Sequence, residues 1–325
     1  MSELNLKDFE DLGEYAGAGL YATNLALQRA ARSSSQRRIP IAGAAVSMSK
    51  TGELTEVTVG NNNRIPAPDT ESRGYPTDHG ETDAIRNIDD FAAVDWHRVV
   101  FATTLSPCIM CTRTLIHLYH LGLNKIVIAE STSFGGEIQM LGKLPGMILV
   151  KLSLNEVIHA MSLFSRTYPW DWQADIGNIP PDVPTPDIVR LIETNPELKI
   201  RLLDEVGKNG FEGDRAGIAE YSRVKGEFTM VGWASDQRKH SGGNPTRSAT
   251  MIAMGNAGSA VNLRQSVLVL YIAKPGSVSI ADFGDSSLGA CELFRPAAIL
   301  SNASFDGELT EALRRAGISV VRCRA

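Results

Sequence analysis

Residues 77–83 read TDHGETD and residues 104–111 read TLSPCIMC. In the first stretch Glu81 follows His79 by two places; in the second, Cys108 and Cys111 form a C-x-x-C behind Pro107. Each falls where a loop or strand gives way to a helix. HGETDAIRNIDDF reads as a helix, WHRVVFATTLSP as a strand stopped by proline, and CIMCTRTLIHLYHLG as a helix closed by glycine. Cysteines three apart at a helix start put both sulfurs on one side of the first turn. Pro107 suits that start, and the helix N-terminus favours the thiolate that binds metal.

Working outward, residues 5–33 carry apolar positions at helical spacing, and IPIAGAAVSM and TEVTVGN read as strands joined by the turn SKTGE. After the C-x-x-C helix come strands NKIVIAE and KLPGMILVKL and the helix NEVIHAMSLFSRTY. The alternation predicts an α/β fold, a sheet covered by helices with parallel strands at the crossovers. Pro180, Pro181, Pro184 and Pro186 then mark a semi-rigid linker over 179–187. The expected domains are 1–178 and 188–325.

A catalytic zinc takes three protein ligands and leaves a position open. His79, Cys108 and Cys111 supply three, and Glu81 stands beside them as a base that can carry a proton. A redox pair has no use for His79 and Glu81, and a four-cysteine structural site needs a second C-x-x-C, which the chain lacks. H-x-E followed by P-C-x-x-C is the arrangement of zinc deaminases.

The chain has 325 residues, room for two domains, and a net charge of −5. No basic run exceeds the QRR of 36–38, which favours a small-molecule partner over a polynucleotide. No apolar run approaches the ~20 residues of a membrane span. The acidic N-terminus lacks a signal-peptide layout, so a cytoplasmic protein is expected. Cys291 and Cys323 read as buried, idle thiols.

These motifs resemble the cytidine-deaminase-like superfamily, and residues 1–178 resemble the fungal-type cytosine deaminases that act on the free base. GNNNR at 60–64 resembles that family's loop before the histidine helix, TTLSPCIMCTRTLIH its zinc helix, SFGGE at 133–137 its Phe-containing loop, and YPWDWQADIG at 168–177 its C-terminal tail. The resemblance implies a three-layer α/β/α sandwich, Zn2+ as cofactor, Glu81 as the catalytic proton carrier, and a substrate pocket lined by Asn62, Ser106, Phe134, Trp172 and Asp175. It implies hydrolytic deamination of a free nucleobase or similar small aminated heterocycle, with cytosine the first candidate.

Three consecutive asparagines, Asn61 to Asn63, leave open which one meets the base. The long loop IPAPDTESRGYPTD could bring Arg73 or Tyr75 to the pocket. A nucleoside, guanine or an RNA base stays open as substrate. So does a different class, a non-catalytic zinc-binding module, against which Glu81 argues.

Residues 188–325 have no H-x-E and no C-x-x-C. EFTMVGWASD, SVLVLYIAKP, RPAAILSN and ISVVRC read as strands. NPTRSATMIAMGNAG, GSVSIADFGDSSLGACELF and DGELTEALRRAG read as helices. The order repeats that of the first domain, with Gly276 and Ser279 expected where Cys108 and Cys111 stand. A degenerate, zinc-free deaminase-like copy is the expectation. Fungal-type deaminases being homodimers, the resemblance leaves the copy open as an intrachain pseudo-dimer partner, as part of the active-site wall or as a regulator-binding domain, and a homodimer of full chains stays open beside each.

Overall fold

The computed structural model describes residues 4–66, 74–180, 184–208, 213–274 and 276–323. These divide into two compact units, one of residues 4–66 and 78–172, the other of 74–77 and 173–323.

The first unit opens with a 3-10 segment, Leu6–Tyr15, broken at Gly13 (φ 56°), and the helix α1 (Ala16–Ser35). The hairpin β1 (Ala42–Met48) and β2 (Leu54–Asn61) follows, then α2 (Gly80–Arg86), β3 (Val99–Thr103), α3 (Ile109–His120), β4 (Lys125–Ile128), α4 (Ile138–Gly142), β5 (Ile148–Lys151), α5 (Asn155–Thr167) and α6 (Pro169–Asp175). The sheet order is β2-β1-β3-β4-β5. β1 runs antiparallel to β2 and β3, while β3, β4 and β5 are parallel.

Strand alternation sorts the core onto two faces. Val46, Val100, Ala102 and Val127 pack with Phe9, Leu12, Ala18 and Ala22 beneath α1. Ala45, Val99, Phe101, Ile126 and Ile128 pack with Ile85, Leu115 and Leu118 of α2 and α3. The sheet therefore lies between two helical layers. The helix expected over HGETDAIRNIDDF is shorter in the structure, because Asn87 ends α2 and a 3-10 turn takes Phe91–Ala93.

The second unit holds α7 (Thr185–Thr194), α8 (Pro196–Gly207), β6 (Arg215–Ser222), β7 (Glu227–Ser235), α9 (Ala249–Ala257), β8 (Ser266–Tyr271), β9 (Ser277–Val278), α10 (Ile280–Phe283), α11 (Asp285–Phe294), β10 (Ala298–Ser301), β11 (Ser304–Phe305), α12 (Gly307–Arg315) and β12 (Ser319–Arg322). The main sheet runs β12-β10-β8-β6-β7. β6 is antiparallel to β7 and β8; β8, β10 and β12 are parallel. Order and sense repeat those of the first sheet. Each leading hairpin also carries a register shift, at Ala45/Val46 and at Ile218/Ala219.

Several elements differ from the sequence reading. The expected linker 179–187 runs into α7, which starts at Thr185 with Pro186 in its first turn, where a missing N–H costs nothing; residues 181–183 lie outside the described residues. α7 and α8 bury Ile188, Ile192, Leu202, Leu203 and Val206 against the second sheet, in a stretch of the expected second domain to which the sequence reading assigns no element. The single helix expected over GSVSIADFGDSSLGACELF is two, because Gly284 (φ 91°) separates α10 from α11. Ser279 caps the short α10, while the longer α11 begins after Gly284 with Ser287 in its first turn, so the expected positions Gly276 and Ser279 do not stand at the start of the longer helix. Pro275 of the expected strand end lies outside the described residues.

Candidate active site

The start of α2 is seated on the sheet by glycines. A Cβ on Gly80 would meet Ala42 Cα at 2.7 Å, one on Gly43 would meet Gly80 O at 2.9 Å, and one on Gly60 would meet Ala84 N at 2.1 Å. Backbone therefore touches backbone, and His79 and Glu81 are carried over the end of β3. His79 is the extended residue that begins α2, and its N–H donates to Thr82 Oγ1 at 2.9 Å.

Cys108 holds the matching position at α3, and Cys111 sits three residues on, within the first turn. His79 Nδ1 is 3.3 Å from Cys108 Sγ, and the two sulfurs are 3.6 Å apart. One ligand atom from each of the three residues lies within 4.8 Å of the others, and all three are buried. Ordinary zinc bond lengths of about 2.0–2.3 Å at tetrahedral angles give ligand–ligand edges of roughly 3.5–3.8 Å. Donor chemistry and spacing both fit zinc.

Charge at the site follows from burial. Burial works against the Cys108 thiolate, but the hydrogen bond from Cys111 and the nearby His79 hold its pKa well below the usual thiol range. Burial pushes the Cys111 thiol well up, and the bond to Cys108 adds to the rise.

Glu81 is buried, and its carboxyl is pushed up first by that burial and then by the charge of Cys108. The Thr103 hydroxyl donates to Glu81 Oε1 at 2.7 Å and opposes the rise. Thr103, at the end of β3, went unremarked in the sequence because a threonine in a strand is unexceptional.

Asn61 to Asn63 differ in what they hold. Asn61 N–H donates to Asp83 Oδ2 at 2.9 Å, and its Oδ1 accepts from Arg29 Nε at 2.8 Å. Asn63 Oδ1 accepts from Asn61 Nδ2 at 2.7 Å and also from Arg38. Asn62 is fully buried, and its Oδ1 accepts from Arg64 N–H at 3.0 Å, a local turn.

The rings of Phe134 and Trp172 meet edge to face, centroids 5.5 Å apart at 88°. They pack onto Ile39, Ile41, Leu105, Met161 and Phe164. Ser106 is buried, and its N–H donates to Glu130 O at 3.0 Å. Asp175 is buried at the end of α6 and falls in the second unit, as does Tyr75, which is exposed. Arg73 lies outside the described residues. Among the described residues no helix is long and apolar enough to cross a membrane.

Residues 19–130 match the model of the cytidine and deoxycytidylate deaminase zinc-binding region. A cytosine deaminase of Candida albicans is 32% identical over 153 residues, covering 47% of this chain and 93% of the relative. Among solved structures, a guanine deaminase from Nitrosomonas europaea aligns with TM-score 0.30 and 18% identity, over 52% of this chain and 94% of its own. A tRNA deaminase acting at the wobble position aligns with TM-score 0.28 and 17% identity, over 41% of this chain and 97% of its own.

Proposed function

Since this chain belongs to the cytidine-deaminase-like superfamily, we propose that it is a hydrolytic deaminase of a free nucleobase or similar small aminated heterocycle, with cytosine the first substrate to try. The observation that carries this is the buried Glu81 carboxyl, bonded to Thr103 beside a three-ligand zinc set. The cytosine assignment draws on the Candida albicans relative, 93% of whose length is matched.

Zinc held by His79, Cys108 and Cys111 would supply the acidified water that serves as nucleophile. Glu81 would accept one proton of the water and give it to the ring nitrogen beside the amine-bearing carbon, then take the second proton from the added hydroxyl and give it to the departing amine. Water adds across the C–N bond, a carbonyl forms and ammonia leaves; no electrons are transferred. A raised carboxyl pKa suits a group that must hold the proton between two transfers. Asn62, the most buried of the three asparagines, is the one proposed to meet the base. Phe134 and Trp172 form an aromatic wall, and Ser106 completes the proposed set within the first unit.

We also propose that the second unit is a zinc-free copy of the first. In support, the strand orders and senses match. Ser248 begins α9 as His79 begins α2, and Ser287 stands three residues past Gly284, which precedes α11, as Cys111 stands three past Cys108, which precedes α3. Ser248 Oγ and Ser287 Oγ are 2.8 Å apart, so a hydrogen bond occupies the place of a histidine–cysteine pair. At the place of Cys108 stands Gly284 with φ 91°, a backbone state that strains any side chain.

The deciding experiment measures ammonia release by zinc-loaded protein across cytosine, cytidine, guanine, adenine and aminated triazines, beside Glu81→Gln. Turnover lost in Glu81→Gln with zinc retained supports the reading. Stoichiometric zinc with no turnover of any compound would sink it in favour of a non-catalytic zinc module.

A further inference from the structure

A second buried acid stands at the same end of the first sheet as the metal ligands. β3 and β4 are parallel, with Thr103 opposite Ile128, and Ala129 N–H donates to Thr103 O at 2.9 Å. Glu130 follows directly, at the carboxyl ends of the strands, where ligands of open α/β sheets are bound. It is 1% exposed.

One carboxyl oxygen organises a loop. Glu130 Oε2 accepts from Thr132 N–H at 2.6 Å and from Ser133 N–H at 3.1 Å. Its carbonyl accepts from Ser106 N–H at 3.0 Å, and Glu137 N–H donates to Pro107 O at 2.9 Å. A Cβ on Gly136 (φ 52°) would meet Pro107 O at 2.3 Å, so the loop returns hard against the turn that precedes Cys108. Residues 130–137 are thus tied at both ends to Ser106–Pro107, and Phe134 projects between the ties to meet Trp172.

The other oxygen is unused by the protein. Among the described residues, neither Glu130 Oε1 nor the hydroxyl of Ser106 has a hydrogen-bond partner, and both atoms are buried. Buried polar atoms in native folds nearly always find a partner. An acidic oxygen left over beside the loop that carries Phe134 points to a ligand that brings its own N–H.

We infer that Glu130 determines what the pocket accepts: Oε2 fixes the Phe134 loop against the Cys108 turn, while Oε1 accepts a hydrogen bond from a ring N–H or amine of the bound heterocycle. This rests on the deaminase reading of the same site. Nothing in the sequence motif marks Glu130, which looks like an ordinary strand-end residue.

The test compares zinc-loaded parent protein with Glu130→Gln and Glu130→Ala, reading kcat, KM, zinc content and hydrogen exchange at residues 131–137. In Glu130→Gln the amide oxygen still accepts from Thr132 and Ser133, while the free acceptor becomes an N–H donor. Exchange and zinc should match the parent, and KM should rise on the order of tenfold or more with kcat little changed. Glu130→Ala should show the same KM defect and also release the Thr132 and Ser133 amides to exchange. An unchanged KM in Glu130→Gln, or a KM defect confined to Glu130→Ala with its loosened loop, overturns the inference. If the parent deaminates nothing, the deaminase reading fails by itself. Calorimetric titration of the zinc-loaded proteins with cytosine and guanine then decides: weaker binding by Glu130→Gln supports the role, and equal or no binding ends it.

Discussion

The Thr103 hydroxyl lies 2.7 Å from Glu81 Oε1 and 2.9 Å from the carbonyl oxygen of Leu105, with Thr103 and Glu81 both buried. A hydroxyl has one proton to give and lone pairs to receive with. With Glu81 ionised, Thr103 donates to it. With Glu81 protonated, Thr103 accepts from it and turns its own proton to Leu105. The carboxyl therefore keeps a partner in both states that a proton carrier must visit.

Thr103→Val keeps the shape and removes that partner. Its kcat should fall by roughly 10–100-fold while zinc content is unchanged, a part of the roughly 100- to 10,000-fold that a positioned acid–base group contributes. Thr103→Ser should recover most of the loss. Steady-state kinetics with metal analysis checks this. A valine variant with the parent's kcat would show that Glu81 handles its proton without Thr103.

The metal set makes a stoichiometric prediction. Purified protein should carry about one zinc per chain, as expected of a single three-ligand site with an open position, and His79→Ala, Cys108→Ala or Cys111→Ala should each reduce it to a small fraction. Ser248→His with Ser287→Cys should leave the count at one, because the left-handed backbone at Gly284 denies the second unit a third ligand. Two zincs per chain in the parent would contradict the zinc-free reading of that unit.

Asp83 ties the asparagine loop to α2 through Asn61. Burial pushes its carboxyl up, and the Asn61 hydrogen bond and nearby Arg86 and Arg29 only partly oppose this. A raised folded pKa means the folded state holds the proton more tightly than the unfolded chain. Its contribution is then most favourable below the ordinary carboxyl value of about 4 and is lost as pH rises through the raised folded value. The melting temperature of the parent relative to Asp83→Asn should therefore increase as pH is lowered from 7 toward 4. A difference that shrinks over that range would contradict the assignment.

Much of the catalytic half was legible because its chemistry is local. His79 and Glu81 share one helix start, and Cys108 and Cys111 share another, so spacing alone puts the right atoms together. Asn62 and Phe134 needed resemblance, since neither residue type announces a role outside its turn or its core. Thr103 and Glu130 were not legible. Each is bonded to partners far apart in the sequence or to a backbone turn, and neither leaves a periodic or motif signal. In the second half the strands that alternate were read, but β6 and the pair α7–α8 were not, and the split at Gly284 was hidden because a glycine in a helical pattern is tolerated as often as it breaks one.

The Ser248–Ser287 bond yields the last prediction. Ser248 Oγ, besides meeting Ser287 Oγ at 2.8 Å, accepts from Met251 N–H at 3.3 Å, and both serines are buried. Ser287→Ala removes one partner and leaves the other hydroxyl buried with a weak bond, at a cost of about 1–3 kcal/mol. Ser287→Ala should thus lower thermal stability without altering the zinc count or, at a temperature where the chain stays folded, kcat. Replacing both serines by alanine should cost less than twice the single change, because no buried hydroxyl then lacks its mate. Calorimetric unfolding of the single and double variants separates these outcomes. A fully additive pair would mean the two hydroxyls do not stabilise each other, and a loss of zinc in either variant would mean the second unit takes part in holding the metal after all.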